Sequence, residues 1–123
     1  MKFTSFNPLI VTKDAAPVIA LFETLGFDRR HTNTNIDDKD ITNVTMKDAN
    51  GFHVDVAQAD VPRDLTLIRM NVDDFDEAYA FLMDRGFTHP SGRVVELKSS
   101  KSAMLVSPSG FAFDLCQHIR EHD

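Results

Sequence analysis

Apolar and polar positions along the chain fall into two runs of the same order. Residues 5–12 (SFNPLIVT) carry apolar and β-branched groups and predict a strand, with Pro8, which lacks an N–H, near its start or at a sheet edge. Asp14 then caps a helix whose first turn holds Pro17, where a missing donor costs little. Val18, Leu21, Phe22 and Leu25 recur at i, i+3, i+4 and i+7 and predict its buried face. Gly26 ends it. Residues 27–33 and 40–48 read as a hairpin around the polar loop Asn35–Asp40, and Asp48-Ala49-Asn50-Gly51 turns the chain into a strand over Phe52–Gln58.

Asp60–Arg63, with Pro62, reads as a join, after which the order repeats. Leu65–Val72 is a strand, and Asp74 caps a second helix with Glu77 placed three residues on, as in a capping box. Phe75, Ala78, Phe81 and Leu82 supply that helix's apolar face. Val94–Lys98 and Ala103–Ser107 read as a hairpin around Ser99–Ser102, and Ser107-Pro108-Ser109-Gly110 turns into a last strand, Phe111–His118. Phe22, Phe81, Phe111 and Phe113 are expected between helices and sheet.

The two helical stretches, Asp14–Phe27 and Asp74–Phe87, lie sixty positions apart and share Asp14/Asp74, Ala20/Ala80, Gly26/Gly86 and Phe27/Phe87. Four identities are weak evidence alone. The matched roles are stronger: an N-cap, an apolar stripe, a left-handed stop, then an aromatic that starts a strand. The chain therefore reads as an internal duplication of the class α+β, two βαβββ modules in tandem (5–58 and 64–118, linker 59–63) within one domain over 1–123. One module alone leaves a sheet face uncovered, so two must pair, within one chain or between two.

Composition narrows the partners. With 42% hydrophobic and 26% charged residues the chain is a globular protein rather than a disordered one. A net charge of −6 and a single adjacent basic pair, Arg29-Arg30, argue against nucleic acid. The start has no apolar signal core and no run approaches membrane-spanning length, so no membrane partner is expected. One cysteine, Cys116, excludes an internal disulfide and fits a reducing, cytoplasmic setting.

Strand alternation says which side chains face away from the helices. Phe111, Phe113 and Leu115 look to the core, leaving Ala112, Asp114, Cys116 and His118 opposite. Phe52, Val54 and Val56 look inward, with His53, Asp55 and Ala57 opposite. Ile68, Met70 and Val72 leave Leu67, Arg69 and Asn71 on the second face, and Asn7, Leu9 and Val11 join them by analogy. That face thus collects Asn7, His53, Asp55, Arg69, Asn71 and Asp114. The plain alternative is a solvated sheet face.

A βαβββ unit occurring twice, with helices that stop on x-Gly-Phe and a Pro-x-Gly turn before the last strand, resembles the vicinal oxygen chelate superfamily. That group includes glyoxalase I, extradiol dioxygenases, fosfomycin-resistance transferases and bleomycin-binding proteins. The resemblance implies curved mixed sheets forming a cleft, helices outside, a homodimer, and a ligand cavity on the face just described. It also implies metal ligands on the first and fourth strands of each module, usually His, Glu or Gln. Counting from Asp14 and Asp74 maps the first-strand positions onto Asn7 and Leu67; matching Gly51 and Gly110 maps the others onto Asp55 and Asp114.

This departs from the family's pattern. Leu67 has no donor atom, Asn7 offers a neutral amide oxygen, and aspartate reaches one methylene less than glutamate. Asn7, Asp55 and Asp114, joined by His53, can be drawn as a site for a hard divalent cation. Pairing of the aspartates with Arg69 is the preferred reading, and Arg69 beside a carboxylate suits an anionic ligand. The expectation is a small-molecule-binding protein of the glyoxalase/bleomycin-resistance kind, without cofactor or metal. The alternatives are a metal-dependent lyase, transferase or dioxygenase with an atypical site, and a structural or regulatory domain. Cys116 and His118 share a face but lack a third orienting residue, so an inert buried cysteine is preferred. His31, His89 and His122 need no function, and the chain has no Gly-rich phosphate loop, CxxC, HExxH or GxSxG.

Overall fold

The computed structural model describes residues 2–34, 42–92, 94–97 and 100–118. The loop Asn35–Asp40, the His31 side chain, Ser99 and His122 lie outside the described residues. Its elements run β1 (Phe3–Thr12), α1 (Ala15–Thr24), β2 (Asp28–Thr34), β3 (Thr42–Lys47), β4 (His53–Gln58), β5 (Leu65–Val72), α2 (Phe75–Asp84), β6 (Val95–Leu97), β7 (Ser100–Val106) and β8 (Ala112–His118). This is βαβββ twice, an α+β fold, as the repeat implies. The last hairpin differs from expectation: β7 starts three residues early, at Ser100.

Asn7–Thr66 forms one compact unit, and Met1–Phe6 together with Leu67–Asp123 forms the other. In the first, the strand order is β2-β3-β4-β1, with β1 and β4 parallel and the other pairs antiparallel. In the second, the order is β5-β8-β7-β6, with β5 and β8 parallel. The start of β1 is tied into this second unit: the Asp73 N–H donates to the Lys2 carbonyl at 3.0 Å, and the Lys2 N–H donates to Asp73 Oδ1 at 2.7 Å. That backbone donor holds the exposed Asp73 carboxyl below its ordinary range.

Each helix lays one stripe on its own sheet. Ala15, Ile19, Val44, Met46, Val54 and Val56 form the first core, with Val18 and Phe22 against it. Met70, Val72, Phe75, Ala78, Leu82, Ala103, Leu105 and Leu115 form the second, with Tyr79, Phe87 and Phe113 against it. The stripe of α1 is therefore 15, 18, 19, 22, one turn earlier than the bulkiest residues suggested. Leu21 and Leu25 fall past its edge, at 54% and 62% exposure. Phe81, at the position in α2 equivalent to Leu21, is 42% exposed and carries the Arg85 guanidinium 3.5 Å above its ring. Phe111 is half exposed because it precedes β8 on the turn, where it packs edge-on to Phe87 and Phe113. Ile68, at the start of the core face of β5, and Phe52, expected inward but placed just before β4 with 65% exposure, also lie outside the core.

The duplication extends to hydrogen bonds that hold the helices. Gly26 and Gly86 have φ of 102° and 89°, which an L side chain rarely adopts. Around them the Phe27 N–H donates to the Phe22 carbonyl at 2.9 Å, and the Phe87 N–H to the Leu82 carbonyl at 3.2 Å. With the Gly26 and Gly86 amides bonded to Glu23 and Met83, both ends are Schellman stops. The Phe22–Phe27 edge-to-face contact adds the apolar clasp of that motif. At the N-termini, Ala15 N–H donates to Gln58 Oε1 at 3.0 Å and Phe75 N–H to Gln117 Oε1 at 2.7 Å. Each module thus satisfies a first-turn donor with a glutamine from its own fourth strand. Asp74 also accepts from the Glu77 N–H at 3.0 Å, whereas Asp14 makes no side-chain cap bond. On the α2 side, Lys101 donates to Asp76 at 2.8 Å, and this bond raises its pKa.

Candidate ligand-binding faces

In the first unit the face turned from α1 is set by alternation along β1, β3 and β4. Val44, Met46, Val54 and Val56 enter the core, so Asn43, Thr45, Asp55 and Ala57 point the other way. The register runs Leu9–Asp55–Thr45 across one row and Val11–Ala57–Asn43 across the next. Asn7, Leu9 and Asp55 are buried, with Asp55 at 4% exposure. Asn7 Nδ2 donates to the Pro8 carbonyl at 3.0 Å. Asn43 Oδ1 is buried and has no hydrogen-bond partner among the described residues. His53 is exposed at the start of β4. Of the residues singled out from sequence, Asn7 and Asp55 are thus buried on this face and His53 is not.

In the second unit the corresponding rows are Arg69–Asp114–Met104 and Asn71–Cys116–Ser102. Arg69 Nε donates to Asp114 Oδ2 at 2.7 Å, and the two side chains are 14% and 12% exposed. A charge-assisted bond of that length between two largely buried groups is a strong electrostatic contact. Asn71 is 2% exposed and its Nδ2 donates to Ser5 Oγ at 2.6 Å. Its Oδ1 is buried without a hydrogen-bond partner among the described residues. Arg69, Asn71 and Asp114 share this face as the alternation required, and Asp114, one of the two carboxylates expected to pair with Arg69, is bonded to it.

Laid over one another by their turns, the modules place the two aspartates at the same position, four residues after Gly51 and Gly110. Their parallel-strand neighbours differ: Leu9 beside Asp55, Arg69 beside Asp114. One step along, Val11 in the first module corresponds to Asn71 in the second. The strand framework is therefore duplicated while its chemistry is not. Asn7, Asp55, Asn71 and Asp114 are the buried polar side chains on these faces among the described residues.

The donor set does not fit the family's metal. Leu67 supplies nothing, and Asp114 is engaged by a guanidinium whose charge repels a cation. Asn7 adds only a neutral amide, and no group of three His, Cys, Asp or Glu side chains among the described residues is placed to hold an ion. Cys116 is buried while His118, two residues on, is exposed. His89 lies in a different setting, its Nδ1 3.2 Å from the Tyr79 hydroxyl. No helix among the described residues is long and apolar enough to cross a membrane.

Sequence reasoning passed over Asn43, Ser5 and the two glutamine caps. The glutamines were findable, since Gln58 and Gln117 both stand seven residues after a turn glycine. Ser5 and Asn43 carry no such repeat and need coordinates.

No family model matches the sequence, and no curated protein matches it. Solved structures do. Methylmalonyl-CoA epimerase from Mycobacterium tuberculosis aligns over 96% of this chain and 90% of its own, at 14% identity and a TM-score of 0.71. Glyoxalase I from Zea mays covers 98% of this chain at 17% identity and a TM-score of 0.66, with this chain spanning 45% of that protein. A glyoxalase/bleomycin resistance protein/dioxygenase superfamily member from Vibrio splendidus covers 94% of this chain and 98% of its own, at 20% identity and a TM-score of 0.56. At these identities the likeness is one of fold.

Proposed function

We propose that this chain, built on the vicinal oxygen chelate fold, is a small-molecule-binding protein of the glyoxalase/bleomycin-resistance kind that works without a metal at the family's position. The observation that carries this reading is the buried Arg69–Asp114 pair on the helix-free face of the second module. A chelating metal needs several free anionic donors, and one of the mapped carboxylates is instead spent on orienting a guanidinium. A planar cation locked by a carboxylate is a suitable recognition group for a carboxylate or phosphate on an organic ligand. Asn71, one step along β5, adds a buried amide on the same face. The equivalent face of the first module offers Asn7 and Asp55, with His53 at its exposed end.

Fold alone does not assign chemistry, because this fold serves isomerases, lyases and binders alike. The donor chemistry at the mapped positions is what favours a binder here over the metal-dependent alternative. Homodimerisation belongs to the same proposal, since each module presents an equivalent edge and face, and light scattering at twice the 13.8 kDa chain mass is its check. A single, buried cysteine, Cys116, fits a reducing, cytoplasmic setting.

The test is a thermal-shift screen of small organic anions and their neutral analogues against the wild type and Arg69→Met. Anions that raise the melting temperature of the wild type, and not of the variant, support the reading. Stabilisation by neutral analogues alone, or equal shifts in both proteins, contradicts it.

A further inference from the structure

We propose that Asn71 determines which ligands the second module's face accepts, by taking a hydrogen bond from an N–H or O–H of the bound molecule at Oδ1. This rests on the reading of Arg69 as the anion-recognition group given above. With Nδ2 donated to Ser5 Oγ at 2.6 Å, Oδ1 is the end of the amide left over. It is buried and has no hydrogen-bond partner among the described residues. An acceptor in that state is disfavoured, and a donor on a bound molecule would satisfy it.

Position supports the assignment. Asn71 lies two residues from Arg69 on the same face of β5, beside Cys116 on β8 as Arg69 is beside Asp114. Two residues of strand span about 7 Å. The ligand class is therefore a small organic anion with a hydrogen-bond donor about 7 Å from its negative group. The first module has Val11 at the equivalent place, so the framework there accepts an apolar side chain.

Rigid benzoates serve as rulers: 4-hydroxybenzoate carries a donor opposite its carboxylate, and 4-fluorobenzoate does not. Both are titrated into ¹⁵N-labelled protein while the amide shifts of β5 and β8 are followed. The wild type is expected to bind the hydroxy compound about tenfold more tightly, the scale of one hydrogen bond that also relieves a buried acceptor. Asn71→Val, which copies the first module, is expected to bring that preference below about twofold, whereas a merely structural role would weaken both compounds alike and keep their ratio. Asn71→Ala carries the same comparison if the valine variant does not fold.

Equal affinity of the two benzoates for the wild type, or an undiminished preference in the variants, overturns this inference and leaves Arg69 as the anion site. Absence of any β5 or β8 shift with either compound overturns both readings.

Discussion

Replacing Arg69 by Met removes the charge from the buried pair while keeping most of the side chain's length. Asp114, 12% exposed and bonded at 2.7 Å, then stays on a face where water reaches it poorly. Deleting one partner of a buried pair costs about 3–5 kcal/mol, and the slight exposure of both groups puts this one near about 3 kcal/mol. For a chain of this size a urea slope of about 1.5 kcal/mol/M converts that to a midpoint shift of about 2 M. Part of the cost is that of a stranded carboxylate, so it should shrink when the carboxylate goes too. Arg69→Met/Asp114→Leu is expected to be more stable than Arg69→Met. Urea unfolding of the three proteins at pH 7 measures this. A midpoint shift under about 0.3 M for Arg69→Met, or a double variant no better than Arg69→Met, refutes the picture of a buried, mutually dependent pair.

Three further outcomes follow from the same structure. Gln58→Ala and Gln117→Ala each remove a cap on the first turn of a helix and should cost about 1 kcal/mol in urea unfolding. Leu115→Ala, in the centre of the second core, should cost about 2–5 kcal/mol, whereas Phe111→Ala and Phe81→Ala, both substantially exposed, should cost well under the ~3–5 kcal/mol of a buried Phe. Asp73 has a folded-state pKa below its ordinary 3.8, so its contribution is present above that value and lost as pH falls through the folded one. Wild type should therefore exceed Asp73→Asn in thermal stability at neutral pH, with the gap closing below pH 3.8.

Much of the fold was legible because local signals agreed with the repeat. Asp74, Gly26, Gly86 and the two turns each impose a backbone geometry that few other residues supply, and the second copy confirmed the first. The core faces of β4, β5 and β8 followed from alternation, so Asn7, Asp55, Arg69, Asn71 and Asp114 were found on the helix-free side. Helix faces were less legible. At α1 the stripe could start on Ala15 or Val18, and residue bulk pointed to Leu21 and Leu25, while small Ala15 and Ile19 are what the sheet admits. Phe81 and Phe111 misled for a related reason: an aromatic at the rim packs on a neighbour and keeps one side in water. That Arg69 stands beside Asp114 needed the strand register, since Asp55 and Asp114 are equivalent in sequence. That register places Asp114 directly across from it.

The central claim, a vicinal oxygen chelate fold used for binding without the family's metal, is tested most directly by calorimetric titration of tag-free, metal-analysed protein. Mg²⁺, Mn²⁺, Ni²⁺ and Zn²⁺ are each titrated into the wild type, Asp55→Ala and Asp114→Ala. The account predicts no stoichiometric binding at micromolar affinity in any of the three proteins. Stoichiometric micromolar binding to the wild type, abolished by either alanine substitution, would contradict it and make the metal-dependent enzyme the correct reading.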